Sequence, residues 1–297
     1  MQYLINGFRG FCMALADSVP GVSGGTIAFV LGFYDRFIIS LNNIIYGNKK
    51  EKKKALSFLI KLGIGWVIGM IMASLVLTNM FERHIYLVSS LFLGFVIFSI
   101  PIIIKEEKDF LKGRYRNILF TILGISIVCL ITYFNPVGKN GNVINISNFN
   151  LGLIMYVFVC AMIAISAMVL PGISGSTLLL VFGLYMPIIN AIKELLHMNF
   201  SVLPLLIVFG FGVLAGIITV IKLIKIALKK YRSQMVYLII GLMIGSLYAI
   251  VMGPTTLDDV KNPINLSNFN IFWFIIGFII IYGLEKLKMV LEKKNIK

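Results

Sequence analysis

The sequence predicts an all-α polytopic membrane protein with two inverted-topology repeats, each a re-entrant helical hairpin followed by three transmembrane helices. The first reason is composition, because 59% of the 297 residues are hydrophobic and only 13% are charged. Soluble domains carry about 25% charged residues. The second reason is a series of apolar segments separated by short polar loops, and the third is a motif that recurs in both halves of the chain. These features exclude a soluble protein.

Ten apolar segments account for most of the chain. They lie at 4–18, 24–46, 56–80, 85–104, 117–134, 151–169, 175–192, 202–221, 235–252 and 269–284. A helix needs about 20 residues to cross a hydrocarbon core that is ~30 Å thick. The first segment is shorter and contains Arg9 and Asp17. We therefore predict that it forms one arm of a re-entrant hairpin whose tip lies at 20–25.

An internal repeat defines the domain organisation. PGVSGGTIAFVLGFY at 20–34 and PGISGSTLLLVFGLY at 171–185 are identical at eight of fifteen positions, at an offset of 151. Five small residues then recur at an offset of 147. They are Gly63, Gly65, Gly69, Gly94 and Ser99, matched by Gly210, Gly212, Gly216, Gly241 and Ser246. The sequence thus predicts a first repeat over 1–150 and a second over 151–297, within one membrane domain.

The number of segments and the loop charges predict how the repeats are oriented. Each repeat has five segments, so the second enters the membrane in the opposite orientation, as in many secondary transporters. Twenty of the 27 Lys and Arg residues lie in four regions, at 47–54, 105–116, 222–232 and 285–297. The positive-inside rule makes these regions and both termini cytoplasmic, and makes 135–150 and 253–268 external. We expect the net charge of +15 to serve topology and contact with anionic membrane lipids, not nucleic acid.

The repeated motif has the chemistry of a phosphate site. Proline and glycine form a tight turn, and a Ser or Thr can cap the following helix, whose first amides attract anions. The predicted turn residues are Pro20, Gly21, Pro171 and Gly172. The predicted phosphate-binding residues are Ser23, Gly24, Gly25, Thr26, Arg36, Ser174, Gly175, Ser176 and Thr177. We expect Pro20–Thr26 and Pro171–Thr177 to be non-helical turns that meet near the midplane of the membrane, each followed by a helix N-terminus. The alternative is that these small residues only let helices pack closely.

Charged residues are concentrated in the first hairpin. Arg36 lies about ten residues past the tip, ~15 Å along a straight helix, where it either meets the phosphate or extends to the interface. We predict that Arg36→Ala weakens transport more than any single Ser or Thr change. Asp17 is a candidate proton carrier, a helix cap or an ion-pair partner of Arg9. Met168 occupies the equivalent position of Asp17 in the second repeat. The three cysteines and two histidines form no metal or disulfide pattern, so no metal or cofactor is expected.

The segments ADSVPGVSGGTIAFVLGFYDR and LPGISGSTLLLVFGLY resemble a bacterial membrane family catalogued as domain-of-unknown-function family 368, which includes the PopT-type undecaprenyl phosphate translocases. The resemblance covers nearly the whole chain. It implies a flippase of the bacterial plasma membrane, not an enzyme, that returns undecaprenyl phosphate to the cytoplasmic leaflet for reuse in cell-wall synthesis. The family's first motif corresponds to Asp17, Pro20, Gly21, Ser23, Gly24, Gly25, Thr26 and Arg36, and its second to Pro171, Gly172, Ser174, Gly175, Ser176 and Thr177.

Two other functions remain open at this stage. An undecaprenyl diphosphate phosphatase has a similar Pro-Gly-x-Ser motif, but its chemistry needs acidic residues within the hairpins. Here Ser23 and Ser174 are each followed by Gly, and no hairpin contains a Glu. The second alternative is a carrier of a small soluble anion. The sequence is also compatible with a homodimer.

Overall fold

The computed structural model describes residues 2–17, 23–133, 151–256 and 261–295, and these residues are helical apart from turns and loops. The helices are α1 Gln2–Asp17, α2 Gly24–Val30, α3 Tyr34–Tyr46, α4 Lys49–Glu106, α5 Lys108–Leu111, α6 Ile118–Tyr133, α7 Leu151–Met168, α8 Gly175–Val181, α9 Tyr185–Leu196, α10 Leu203–Lys230, α11 Arg232–Met252 and α12 Ile271–Asn295. Short 3-10 turns at Tyr115–Asn117, Phe200–Val202 and Gly253–Thr256 join some of them. The prediction of an all-α protein is confirmed.

Six helical stretches within the described residues are long and apolar enough to cross a membrane. They are Lys49–Met72, His84–Glu106, Tyr115–Tyr133, Leu151–Met168, Phe200–Lys230 and Arg232–Thr255. The first two belong to α4, whose backbone is non-helical at His84 (φ −134°, ψ 37°). We call them the first and second arms of α4. The protein is therefore a multi-pass membrane protein.

The second segment of each predicted hairpin is broken into two helices, so its prediction as one helix was wrong. α2 and α3 differ in direction by 120°. The break falls at Gly32 (φ 67°), and the equivalent Gly183 (φ 65°) separates α8 from α9. Glycine adopts this left-handed conformation without a steric penalty and commonly ends a helix. The Phe33 amide donates to the Ala28 carbonyl at 2.9 Å, and Leu184 donates to Leu179 at 2.8 Å, as in a Schellman motif.

Within each half, small residues let two helices pack in close contact, and the two pairs of helices are equivalent. A methyl group at Gly65 on α4 would lie 1.8 Å from the Gly7 carbonyl oxygen on α1. A methyl group at Gly212 on α10 would lie 2.5 Å from the Phe158 carbonyl oxygen on α7. Gly65 and Gly212 are equivalent in the repeat, as are positions 7 and 158. The two pairs of helices therefore pack through the same register.

The last helix of each half packs against the other half. A methyl group at Gly241 on α11 would lie 2.2 Å from the Thr121 carbonyl oxygen on α6. At the equivalent place, a methyl group at Gly94 on α4 would lie 2.1 Å from the Phe274 carbonyl oxygen on α12. The two halves thus exchange their final helices, and each completes its core with a helix from the other.

Candidate functional site

The first tip satisfies the amides of its own helix. Ser23 is the N-cap of α2, and its hydroxyl accepts from the Gly25 amide at 3.1 Å. The Gly24 amide donates to Asp17 Oδ1 at 2.6 Å, and the Thr26 amide donates to the Ser23 carbonyl at 2.9 Å. A bound phosphate would have to replace one of these acceptors. Of the roles predicted for Asp17, the structure shows the helix cap.

The second carboxylate oxygen of Asp17 accepts from the Trp66 indole Nε1 at 2.9 Å. Trp66 lies on the first arm of α4, directly after Gly65, which packs against α1. A methyl group at Gly24 would lie only 2.7 Å from Asp17 Oδ2, so this glycine makes room for the carboxylate. The start of α2 is therefore occupied by a carboxyl group of the protein itself.

The two tips contact each other. The Gly172 amide of the second tip donates to Thr26 Oγ1 at 2.9 Å. The Ser23 hydroxyl lies 3.4 Å from the Met168 and Leu170 carbonyl oxygens, and Tyr34 donates to the Val169 carbonyl at 3.1 Å. The two tips therefore meet at these residues, and their position near the midplane of the membrane stays a prediction.

The second tip has a different environment at the equivalent helix start. Its turn is non-helical from Pro171 to Ser174, with Gly172 at φ 89°, and α8 begins at Gly175. A methyl group at Gly175 would lie 3.2 Å from Met168 Cβ and 3.3 Å from its sulfur. A thioether thus lies beside Gly175, where the first tip has a carboxylate.

The predicted extent of the turns was partly wrong. Three motif residues in each tip begin a helix instead of belonging to the turn. They are Gly24, Gly25 and Thr26 in the first tip and Gly175, Ser176 and Thr177 in the second. A Ser directly before them is a favourable N-cap residue, and Ser23 takes this role in the first tip. Pro20 and Gly21 lie outside the described residues, as does the side chain of Ser176.

A cavity of about 300 Å³ lies between α1, α4, α7, α8 and α10. Its polar lining comes from Asp17, Trp66 and Ser174, together with the backbone of Gly175. Its apolar lining comes from Met70, Ala161, Ala164, Ile165, Met168, Leu179, Phe209 and Val213. The cavity therefore joins residues of both tips to an apolar wall, which is the form expected for an amphipathic ligand.

The two arginines of the first hairpin pack against aromatic rings. Arg9 donates to Asn6 Oδ1 at 3.4 Å and lies over the Phe33 ring at 4.9 Å. Its predicted ion pair with Asp17 stays a prediction. Arg36 is exposed and lies over the Phe58 ring at 4.5 Å. The break at Gly32 means that no straight helix joins Arg36 to the tip, so the predicted path of ~15 Å was wrong.

Sequence reasoning missed a charged cluster formed by three separate elements. Arg232, at the start of α11, donates to Asp35 at 2.5 Å and makes a bidentate contact with Glu107. The separations along the chain are 197 and 125 residues. No local pattern could have paired these side chains. Within the described residues, no group of three His, Cys, Asp or Glu could hold a metal ion.

Comparison with known proteins identifies the family. Residues 13–268 match the VCA0040-like, undecaprenyl phosphate translocase-like family. The chain belongs to this family. A polyprenyl-phosphate transporter of Staphylococcus aureus is 37% identical over 277 residues, covering 93% of this chain and 94% of the relative. A polyprenyl-phosphate transporter of Vibrio cholerae is 30% identical over 257 residues, covering 83% and 77% respectively. No solved structure matches this family member significantly.

Proposed function

We propose that this protein carries a polyprenyl phosphate, with undecaprenyl phosphate the expected substrate, across the bacterial plasma membrane. The transported lipid returns to the cytoplasmic leaflet, where it is reused for cell-wall polymers. The observation that carries this proposal is a cavity that joins Ser174 and Gly175 of the second tip to an apolar wall, in a chain related to proteins named polyprenyl-phosphate transporters. A lipid phosphate has the same division into a charged head and an apolar chain.

The phosphate binds at the second tip in this proposal. Ser174, Gly175, Ser176 and Thr177 provide hydroxyl and amide donors there, and Gly175 lies beside Met168 and not a carboxylate. Among the equivalent donors of the first tip, the Gly24 amide already donates to Asp17. Those donors contribute after Asp17 leaves Gly24 or takes up a proton. Asp17 is accordingly the candidate for proton coupling.

The transport movement follows from two inverted repeats with re-entrant hairpins. Gly65 meets α1 as Gly212 meets α7, and Gly94 meets α12 as Gly241 meets α6; these equivalent contacts support a pseudo-two-fold relation between the halves. Five segments in each half then give opposite orientations, with the basic regions and both termini in the cytoplasm. Rocking of one half against the other would open the site alternately to each leaflet.

One reconstitution experiment tests this function. Purified protein is placed in liposomes, and the leaflet exchange of a labelled polyprenyl phosphate is measured against protein-free vesicles. We expect protein-dependent exchange without release of inorganic phosphate from undecaprenyl diphosphate. Such release would favour a phosphatase, whereas uptake of free phosphate without lipid exchange would favour a carrier of soluble anions.

Cysteine labelling tests the orientation separately. On a background without Cys12, Cys129 and Cys160, we expect an external reagent to modify a cysteine placed at Asn140 or Asp258. A cysteine in the basic loop 47–54 should react only after the membrane is made permeable. The opposite pattern would reverse the proposed orientation.

A further inference from the structure

One wall of the cavity has no role in holding a phosphate. Met70 on α4, Leu179 on α8, and Phe209 and Val213 on α10 all face the cavity. None of these side chains can donate a hydrogen bond to an anion. A small charged ligand would gain no binding energy from this wall. An apolar group attached to the phosphate would instead pack against the wall, away from the polar end of the cavity.

The wall is open because the two halves differ at one equivalent position. Trp66 follows Gly65 in the first half, and Val213 follows Gly212 in the second, at the same offset of 147. The Trp66 indole extends to Asp17, while the smaller Val213 side chain lines the cavity. At this equivalent position the first half therefore carries a large side chain, and the second half carries a small one that leaves space in the cavity.

The size of the cavity sets how much of a lipid can enter. A volume of about 300 Å³ holds roughly ten non-hydrogen atoms at ~30 Å³ each, the share of a water molecule in the liquid. A phosphate group has about five such atoms, and one isoprene unit has about five carbons. The rest of a polyprenyl chain must lie outside, among the lipids.

We propose that Met70, Leu179, Phe209 and Val213 form a binding site for the first isoprene unit, next to the phosphate. This inference rests on the proposed function and adds which part of the lipid is recognised. Binding then depends on the phosphate and the first five carbons, and changes little with further chain length. The size of the Val213 side chain determines whether the branched unit fits.

Water-soluble phosphates test the site without a long chain. The probes are methyl phosphate, dimethylallyl phosphate with one isoprene unit, and geranyl phosphate with two. In calorimetry on protein in nanodiscs, we expect dimethylallyl phosphate to bind about 10-fold or more tightly than methyl phosphate, because its apolar carbons are buried. The second unit should add about 3-fold or less. Equal binding of methyl and dimethylallyl phosphate would overturn the inference.

The decisive variant is Val213→Trp, which gives the second half the residue of the first half. Because the added ring fills the cavity, we expect dimethylallyl phosphate to bind about 10-fold more weakly, with methyl phosphate binding unchanged. Leu214→Trp is the matched control, since Leu214 is the next residue and is 55% exposed. If Val213→Trp fails to fold, Val213→Phe replaces it. A loss shared equally by both probes, or equally by both positions, would contradict the site.

Leaflet exchange separates this inference from the proposed function. If wild-type protein distinguishes the two probes but does not move polyprenyl phosphate, the isoprene site stands and the transport function fails. If wild-type protein moves the lipid and Val213→Trp moves it equally fast, the transport function stands and the isoprene site fails.

Discussion

At the first tip, the Gly24 amide donates to the carboxylate of Asp17, whereas at the second tip the equivalent Gly175 lies beside the thioether of Met168. The two tips share the same sequence motif and the same helix start. They differ in the side chain that the preceding helix places beside the first amide, which is a carboxyl group at the first tip and a thioether at the second. The two tips thus have similar backbones, and the difference in the adjoining helix predicts that they differ in affinity for anions.

The largest effect is expected when the second tip is given the charge of the first. Met168→Asp should place a carboxylate beside Gly175 and the incoming phosphate. Two unit charges ~4 Å apart repel by about 4 kcal/mol at an effective dielectric constant of ~20. We therefore expect phosphate binding to weaken by about 100-fold or more. Met168→Asn, with the same shape and no charge, is the control, and an equal loss in both variants would show that size alone matters.

The reverse change should make the first tip resemble the second in its affinity for phosphate. Asp17→Asn removes the carboxylate but leaves either the Gly24 amide or the Trp66 indole without its acceptor, which costs about 1–3 kcal/mol of folding stability. We expect binding of dimethylallyl phosphate to strengthen by about 10-fold while the melting temperature falls. Calorimetry and thermal melting on the same sample separate the two effects. Weaker binding would mean that Asp17 supports the phosphate site.

Proton coupling by Asp17 can be measured separately, from the response of lipid exchange to a pH gradient. If phosphate entry requires this carboxylate to take up a proton, lipid exchange in wild-type liposomes should respond to a pH gradient across the membrane. Asp17→Asn should lose that response and still bind the head group. Exchange that follows the gradient equally in both proteins would assign the coupled proton to another residue.

The equivalent serines should separate stability from binding. The Ser23 hydroxyl accepts from the Gly25 amide within the first tip, so Ser23→Ala should cost about 1 kcal/mol of stability and leave affinity nearly unchanged. Ser174 lines the cavity, so Ser174→Ala should weaken phosphate binding by about 3- to 10-fold. Denaturation and binding curves for both variants test this, and the same pattern in both would remove the distinction between the tips.

The smallest effect is expected for Arg36→Ala. The sequence alone ranks this change above any single Ser or Thr change, but Arg36 is exposed on α3 over Phe58. A cation–π contact at such a site contributes about 0.5–1 kcal/mol. We expect phosphate affinity to change by about two-fold or less, with Phe58→Leu as the control. A loss of about 10-fold in Arg36→Ala alone would restore the arginine to the phosphate site.

Features of the fold that depend on local pattern could be predicted from the sequence. Apolar length located the helices, and the repeat identified the small residues that later proved to be helix contacts, such as Gly65 and Gly212. The breaks at Gly32 and Gly183 were missed because the apolar run continues through both glycines. Hydropathy measures apolar length and does not detect a single left-handed residue.

Side-chain partners of the site were harder to predict. The Ser cap of α2 follows from its position before Gly-Gly. The bond between Trp66 and Asp17 depends on how α4 packs against α1, 49 residues apart in the chain. The prediction for Arg36 assumed a straight helix, and the bend of 120° between α2 and α3 removed its basis.

The exchange of final helices has a consequence for how the protein is made. α6 ends at Tyr133, but it packs on α8 and α11, and α11 begins at Arg232. At about 5–20 residues per second, the ribosome needs roughly 5–20 s to supply the intervening ~100 residues. During this interval α6 lies in the lipid before its main partner exists. Newly made first halves are therefore candidates for pairing with a neighbouring chain until α11 is made.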